Sequence, residues 1–305
     1  MSVMDRTYGA DAIETYNVRK TLEFAKPKLV FPQFGQPDLS MKRKGQTASW
    51  LKFTKMAVPS AVLTDDPTWA PATVADTTVT ATLEFWGAGV SLVEALQETS
   101  FLDLPAEYKK LVGQNAGETI NEKVRDVLKA GTSADYANAA EARQEMISTD
   151  TVDLNDILDS VEQLEVSDAP TIGDEYVAII SPYVKTRLMK DTSFREATRY
   201  LAKDNSLFTG EVANIDGTRF VRTSTAPSVS DSGSNNSISN VEQTILLGEG
   251  AYGIARLLPG DFDVVVTQPG GHGDEYKVKT AIAWKAYLKA VILQQSFMRR
   301  LESAR

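Results

Sequence analysis

The chain has 305 residues, 42% of them hydrophobic, which is enough to fill one or two packed cores and argues against global disorder. Its formal net charge of -9 speaks against gripping nucleic acid over a broad basic face, since neutralising phosphates takes clustered Lys and Arg. Cysteine is absent and His272 is the one histidine, so disulfides, thiol catalysis and cysteine metal sites are excluded and little is left for metal or acid–base chemistry.

Residues 1–14, MSVMDRTYGADAIE, carry acidic residues early and no apolar core segment, so no signal peptide is expected. Helical spacing over residues 1–26 is patchy (Ile13, Tyr16, Leu22) and gives way to Pro27, Pro32 and Pro37, which break regular structure. Leu29, Val30, Phe31 and Phe34 lie among those prolines. An apolar, proline-broken arm cannot form its own core, so it is either a strap on its own domain or an arm that reaches a neighbouring subunit. Thr47–Met56 and Thr77–Trp86 are predicted strands, the second with Val79, Ala81, Leu83 and Phe85 on its buried face. About twenty residues between them contain Pro59, Pro67 and Pro71 and little that packs internally, which predicts a long hairpin with a projecting tip. Trp69 near that tip is a local plug or an anchor for a partner surface. Adjacent Asp65 and Asp66 would point to opposite sides of an extended chain, so a solvated tip is expected rather than an acid/base pair.

Gly87 and Gly89 are expected to turn the chain into residues 90–100 and then into a single long helix over Pro105–Ala130. Its apolar positions are Tyr108, Leu111, Val112, Ala116, Ile120, Val124, Val127 and Leu128, steps of three and four that draw one stripe. Asp103 and Pro105 supply a start and Gly131 a stop, with Lys129 suited to the C-terminal dipole. The pattern ends too soon for a coiled coil, so the rod is a spine for separate lobes. The polar segment after Gly131 reads as a boundary. A second lobe begins near Thr151, where Asp153 can cap a helix bearing Leu154, Ile157, Leu158, Val161 and Leu164. Tyr176–Ile180 suits a strand buried on both faces, and Ser181–Pro182 starts a helix directly after it. Residues 210–223 read as a hairpin turning at Asp216–Gly217. Residues 225–239 are a serine-rich loop, and Val241–Leu247 and Asp263–Thr267 are further strands. Residues 276–297 are β-branched and aromatic and predict long strands; Lys277–Phe297 is the expected partner of the spine's stripe.

One motif has the form of an enzyme's. Residues 248–253, GEGAYG, match GxGxxG and resemble a kinase glycine-rich loop, but the strand lysine, catalytic loop and metal ligand that the chemistry needs are missing. The dinucleotide alternative requires a helix directly after the glycines, and Pro259–Gly260 cut it short. A glycine-permitted bend between strands is the expectation. His272, flanked by glycines, reads as a solvated loop residue. Lys42, Arg43 and Lys44 are the one basic triplet, a wet face or a phosphate contact. No residue is assigned a catalytic, cofactor or metal role, and no cofactor and no membrane partner are expected. The densest apolar run, Ala290–Leu293, falls far short of a membrane span of roughly 18 residues, so the expected setting is a cytoplasm.

The order of arm, long hairpin, spine helix, α/β lobe and returning strands resembles the major capsid proteins of tailed bacteriophages with the Hong Kong 97 fold. LVFPQFGQP (29–37), the LTDDPTWAP tip, LFTGEVANIDGTRFVRT (207–223) and the closing AIAWKAYLKAVIL resemble the subfamily typified by the podovirus called N-four. The tip departs from the Leu-Thr-Glu-Gly that relatives often carry, with Asp65 and Asp66 in its place. The resemblance implies an α+β fold divided into an N-terminal arm (1–45), an extended loop (46–86), a peripheral domain (87–150), an axial α/β domain (151–262) and returning strands (263–305). It further implies a non-enzymatic subunit that assembles with itself into hexamers and pentamers of an icosahedral shell around double-stranded DNA, held without sequence specificity. Scaffold, portal and decoration proteins are candidate further partners. The expected place is the virion capsid, assembled in the host bacterial cytoplasm, with Phe31, Phe34, Trp69, Asp65 and Asp66 as expected intersubunit contacts. The rivals are an encapsulin-like compartment shell and, remotely, a nucleotide-binding enzyme using GEGAYG.

Overall fold

A computed structural model describes residues 29–38, 45–56, 74–101, 103–201, 211–215, 217–230, 238–257, 262–267, 269 and 276–305. Within them the chain runs through β1 (Gln36–Asp38), β2 (Thr47–Phe53), β3 (Asp76–Thr82), β4 (Glu84–Val93), α1 (Glu94–Thr99), α2 (Leu104–Lys129) and β5 (Ala134–Tyr136). It continues with α3 (Leu154–Val166), β6 (Tyr176–Ile180), α4 (Pro182–Leu188), α5 (Thr192–Leu201), β7 (Glu211–Ile215), β8 (Thr218–Arg222) and β9 (Ser228–Val229). Five strands close the chain: β10 (Val241–Leu247), β11 (Tyr252–Arg256), β12 (Asp263–Thr267), β13 (Lys279–Ile292) and β14 (Met298–Ala304). The class is α+β.

The spine helix forms where its caps place it. The Asp103 carboxylate accepts the Ala106 N–H, Pro105 sits in the first turn where no N–H is needed, and Lys129 lies in the last. Val112, Ala116, Ile120, Val124 and Leu128 are buried at four-residue steps. Leu111, expected in that stripe, is exposed, because it lies about 100° of helix rotation away from Val112. Gly113, Gly117 and Asn121 are buried beside the stripe, and a count of apolar residues does not mark them.

That stripe packs on a five-stranded sheet built around β13. Ile282, Trp284, Ala286, Leu288 and Ala290 alternate onto the helix side and are buried. Trp284 Nε1 donates to Asn115 Oδ1 at 2.9 Å. Leu288 pairs with both Glu84 and Arg256, which puts β4 on one edge of β13 and β11 on the other; β12 pairs farther along the β11 edge, and β1 adds in parallel to β11. Gly87 and Gly89 therefore do not turn the chain; they lie inside β4. A Cβ on Gly87 would come within 2.8 Å of the Trp284 carbonyl oxygen, and one on Gly89 within 2.6 Å of Ala283 Cβ, so close strand approach is what requires glycine there.

The second sheet has the order β5-β14-β10-β6-β8-β7. β6 and β10 are buried along their whole lengths. Val177, Ile179, Ile245 and Leu247 face the core shared with α2, while Ala178, Ile180 and Leu246 face α3 and α4. Both faces are covered, so the strands read as continuous apolar runs. α3 begins with a reciprocal capping box between Asp153 and Asp156, and α4 with Ser181 accepting the Val184 N–H ahead of Pro182. Two segments depart from expectation. Residues 134–136 of the supposed boundary form β5, parallel to β14, and Met146 is buried against Val241 and Ala304. The chain also leaves this sheet before residue 262, since β11 already belongs to the first sheet.

Candidate functional site

The hairpin β2–β3 pairs in register from Thr47↔Thr82 to Phe53↔Asp76 and belongs to neither large sheet. Its base is anchored by small contacts. Ala48 is buried with Ala255 of β11, and the Trp50 indole lies over Gly253, where a Cβ would come within 2.7 Å of the ring. The opposite face carries Leu51 and Phe53, 56% and 66% exposed, beside Thr78 and Thr80. Met56 and Val74, where the two strands run out, are exposed as well. The expected apolar alternation reaches only to Ala81 and a half-buried Leu83. Phe85 already belongs to β4, and it is exposed and stacked on Tyr287 with ring centroids 4.6 Å apart. A further apolar group, Val93, Leu96, Phe101 and Leu111, is exposed around α1 and the start of α2. Of these the sequence singles out only Leu111, which it places on the buried stripe of the spine helix. An open cleft of about 830 Å³ lies between the hairpin, β1 and the turn after α3, and the exposed ion pair of Lys55 and Asp168 spans it at 2.7 Å.

The arm is seated in the subunit's own core. Phe31 is fully buried among α2 and sheet residues, so its ring is not offered to a neighbour as expected; Phe34 is half-buried beside it. The Tyr252 hydroxyl donates to the Phe31 carbonyl, and burial raises that phenol above its ordinary pKa. Gly35 passes so close to Tyr252 and Ile254 that a Cβ would fall within 2.6 Å of the tyrosine ring. Asn121 of α2 accepts the Val30 and Phe31 N–H groups on its Oδ1, both at 2.9 Å. The expected contacts Asp65, Asp66 and Trp69 lie outside the described residues, as do Lys42, Arg43, Lys44, His272 and Asp216.

The far end of the spine is held by a buried carboxylate. Glu302 of β14 takes two hydrogen bonds from Arg143, each 2.6 Å, and one from Gln243 at 2.8 Å. Arg300 Nε lies 2.9 Å from the same carboxylate, and its Nη1 donates to the carbonyls of Lys129 and Gly131 past the end of α2. Burial alone would raise the Glu302 pKa. The hydrogen bonds from Arg143 and Gln243 and the charges of Arg143 and Arg300 outweigh it and hold the carboxyl below the usual range. Asp156 goes the other way: burial raises it against the N–H groups of Asn138 and Asp153 that favour its ionised form.

GEGAYG is the crossing between the two sheets. The Gly248 N–H donates to Phe297 O, the Glu249 N–H to Pro170 O, and Gly250 turns the chain at φ 72°. The first two amides of a would-be phosphate loop are thus already engaged, and a strand follows where a nucleotide loop needs a helix. Among the described residues no group of three or more histidines and carboxylates is placed to hold a metal, and no helix is long and apolar enough to cross a membrane.

No protein-family model matches the chain, and no curated protein matches it in sequence. Solved structures match in shape. The capsid of Ralstonia phage GP4 superposes with a TM-score of 0.73 at 14% identity, covering 89% of this chain and 87% of that one. The capsid asymmetric unit of cyanophage Pam1 gives 0.70 at 11% identity, with 92% of each chain covered. A virus-like particle from Pyrococcus furiosus gives 0.54 at 12% identity, over 95% of this chain and 99% of that one. At such identities the likeness speaks for the fold, and the fold is that of the Hong Kong 97-type capsid subunit.

Proposed function

We propose that this chain is a major capsid protein of a tailed phage, assembling with itself into the icosahedral shell that encloses double-stranded DNA. The observation that carries the reading is the hairpin: a two-stranded ribbon anchored at its base by alanines and one tryptophan, with Leu51, Phe53, Met56 and Val74 left in water. Isolated ribbons are marginal in water, and contiguous exposed apolar residues mark a surface that another chain covers. Closed symmetric assemblies repeat such a contact at every copy. In this reading 1–45 is the arm, 46–86 the extended loop handing over at β4, 87–150 the peripheral domain, 151–262 the axial domain apart from β11, which pairs within the first sheet, and 263–305 the returning strands. Residues Asp65, Asp66, Trp69 and the half-buried Phe34 are proposed intersubunit contacts. The subfamily is that of the podovirus N-four, on the four sequence stretches given above. Assembly takes place in the host cytoplasm, with portal, scaffold and decoration proteins as candidate partners. The acidic net charge of -9 suits a container that must load and release DNA rather than condense it.

A second reading, a compartment shell that houses protein cargo, is favoured by the likeness to the Pyrococcus particle, which spans nearly the full length of both chains. Purified particles carrying nuclease-protected DNA would decide for the first reading and particles with protein cargo for the second. Deleting residues 57–75 is expected to leave a folded subunit that no longer forms stable shells. Normal particles by negative-stain microscopy would remove the hairpin from its role.

A further inference from the structure

One buried amide of α2 touches two parts of the chain, each about a hundred residues away from it. Asn121 is fully buried in the middle of α2. Its Oδ1 holds the Val30 and Phe31 N–H groups of the arm, and its Nδ2 donates to Thr225 Oγ1 at 2.7 Å, in the segment between β8 and β9. Thr225 Oγ1 lies 2.9 Å from Thr223 Oγ1, and the Thr223 N–H donates to Ile180 O at the end of β6. On the other side the Phe31 carbonyl accepts the Tyr252 hydroxyl of β11. A continuous line of hydrogen bonds therefore runs from the second sheet, through the spine helix and the arm, to the first sheet.

The two ends of an amide are one rigid group. If the lobe bearing Thr225 shifts on α2 and draws Nδ2 with it, Oδ1 turns away from the arm, and buried polar groups left without partners are costly. Arg125 and Lys129 also tie the helix to this lobe, through Thr225 O at 3.3 Å and Ser228 O at 3.1 Å. Neither of these bonds involves the arm, so they hold the lobe without sensing the arm. We propose that Asn121 couples seating of the arm at residues 29–34 to docking of the β8–β9 segment on the spine helix, so that loosening one loosens the other. If the chain builds a shell as proposed above, a subunit whose lobe is moved by its neighbours transmits that movement to its arm.

The test is hydrogen exchange on the unassembled full-length chain with Thr225→Val, which removes one hydroxyl and changes no residue of the arm. Exchange at residues 29–34 is expected to rise about tenfold, the equivalent of about 1.4 kcal/mol, together with residues 223–229, while Thr225→Ser stays near the parent. A Thr225→Val chain that loosens only at 223–229, or loosens equally in α3, overturns the coupling. Because the reading is taken on unassembled chain, missing shells would count against the proposed function alone, and an unchanged arm against the coupling alone.

Discussion

The second sheet and the hairpin are opposite solutions to the same problem, how a strand finds partners. β6 and β10 sit in mid-sheet, paired on both edges, with α3 and α4 on one face and the spine core on the other. β2 and β3 have only each other, touch the subunit at Ala48 and Trp50, and turn Leu51 and Phe53 to water. Burial of a large apolar side chain is worth about 1.5–3 kcal/mol, so the lobe holds its energy inside one chain while the hairpin leaves part of its own unused within the subunit. On the proposed reading stability and assembly are carried by separate residues, a division that can be broken at named positions.

The largest effect is expected at Phe220, fully buried and packed edge-to-face on Phe194 with centroids 6.0 Å apart. Phe220→Ala should cost about 3–5 kcal/mol, read as a lowered midpoint in chemical denaturation. Next comes Glu302→Gln, which leaves Arg143 and Arg300 facing a neutral amide and should cost about 3 kcal/mol. Its pH signature follows from the lowered pKa of Glu302. The stability it contributes is fully present above the ordinary carboxylate value of 4.5 and is lost as pH falls through the lowered folded value. Asp156, raised by burial, acts with the opposite sign, its contribution fading as pH rises through its folded value. Denaturation midpoints against pH should therefore fall less steeply toward acid in Glu302→Gln than in the parent. The smallest effect on stability is expected where the effect on assembly is greatest. Leu51→Ser with Phe53→Ser should shift stability by no more than about 0.5 kcal/mol per site, yet abolish particles in sedimentation. A large loss of stability there would mean that the hairpin's outer face serves its own subunit.

The parts of the fold legible in the sequence are those whose causes are local. Asp103 with Pro105, Asp153 with Leu154 to Leu164, and Ser181 with Pro182 each announce a helix start, and each is observed as a cap. The run of Tyr176–Ile180 announced a strand covered on both faces. What escaped depends on partners distant in the chain. Gly87 and Gly89 look like turn residues until β13 is laid against them, and the short strand at Ala134–Tyr136 exists because β14 offers it an edge. Phe31 looked like an outward anchor because nothing in its neighbourhood reveals that Tyr252 and Asn121 wait to receive its backbone. Of the candidate contacts, the sequence pointed to the hairpin through its prolines and length. Leu51 and Phe53 were hidden in the expected strand, since alternation alone does not say which face is wet.

The place of β14 bears on how the subunit comes into being. β5 and β10 are separated in space by a strand that the ribosome delivers well after β10, and β13 likewise reaches β4 across a long stretch of chain, although β11 and β12 lie close to it in sequence. The first sheet cannot close before β13 has emerged, nor the second before β14, and until then the arm lacks the finished core that buries Phe31. Pairings of such long separation form late and slowly. A chain still in synthesis thus has no completed body behind its exposed hairpin until β14 is in place.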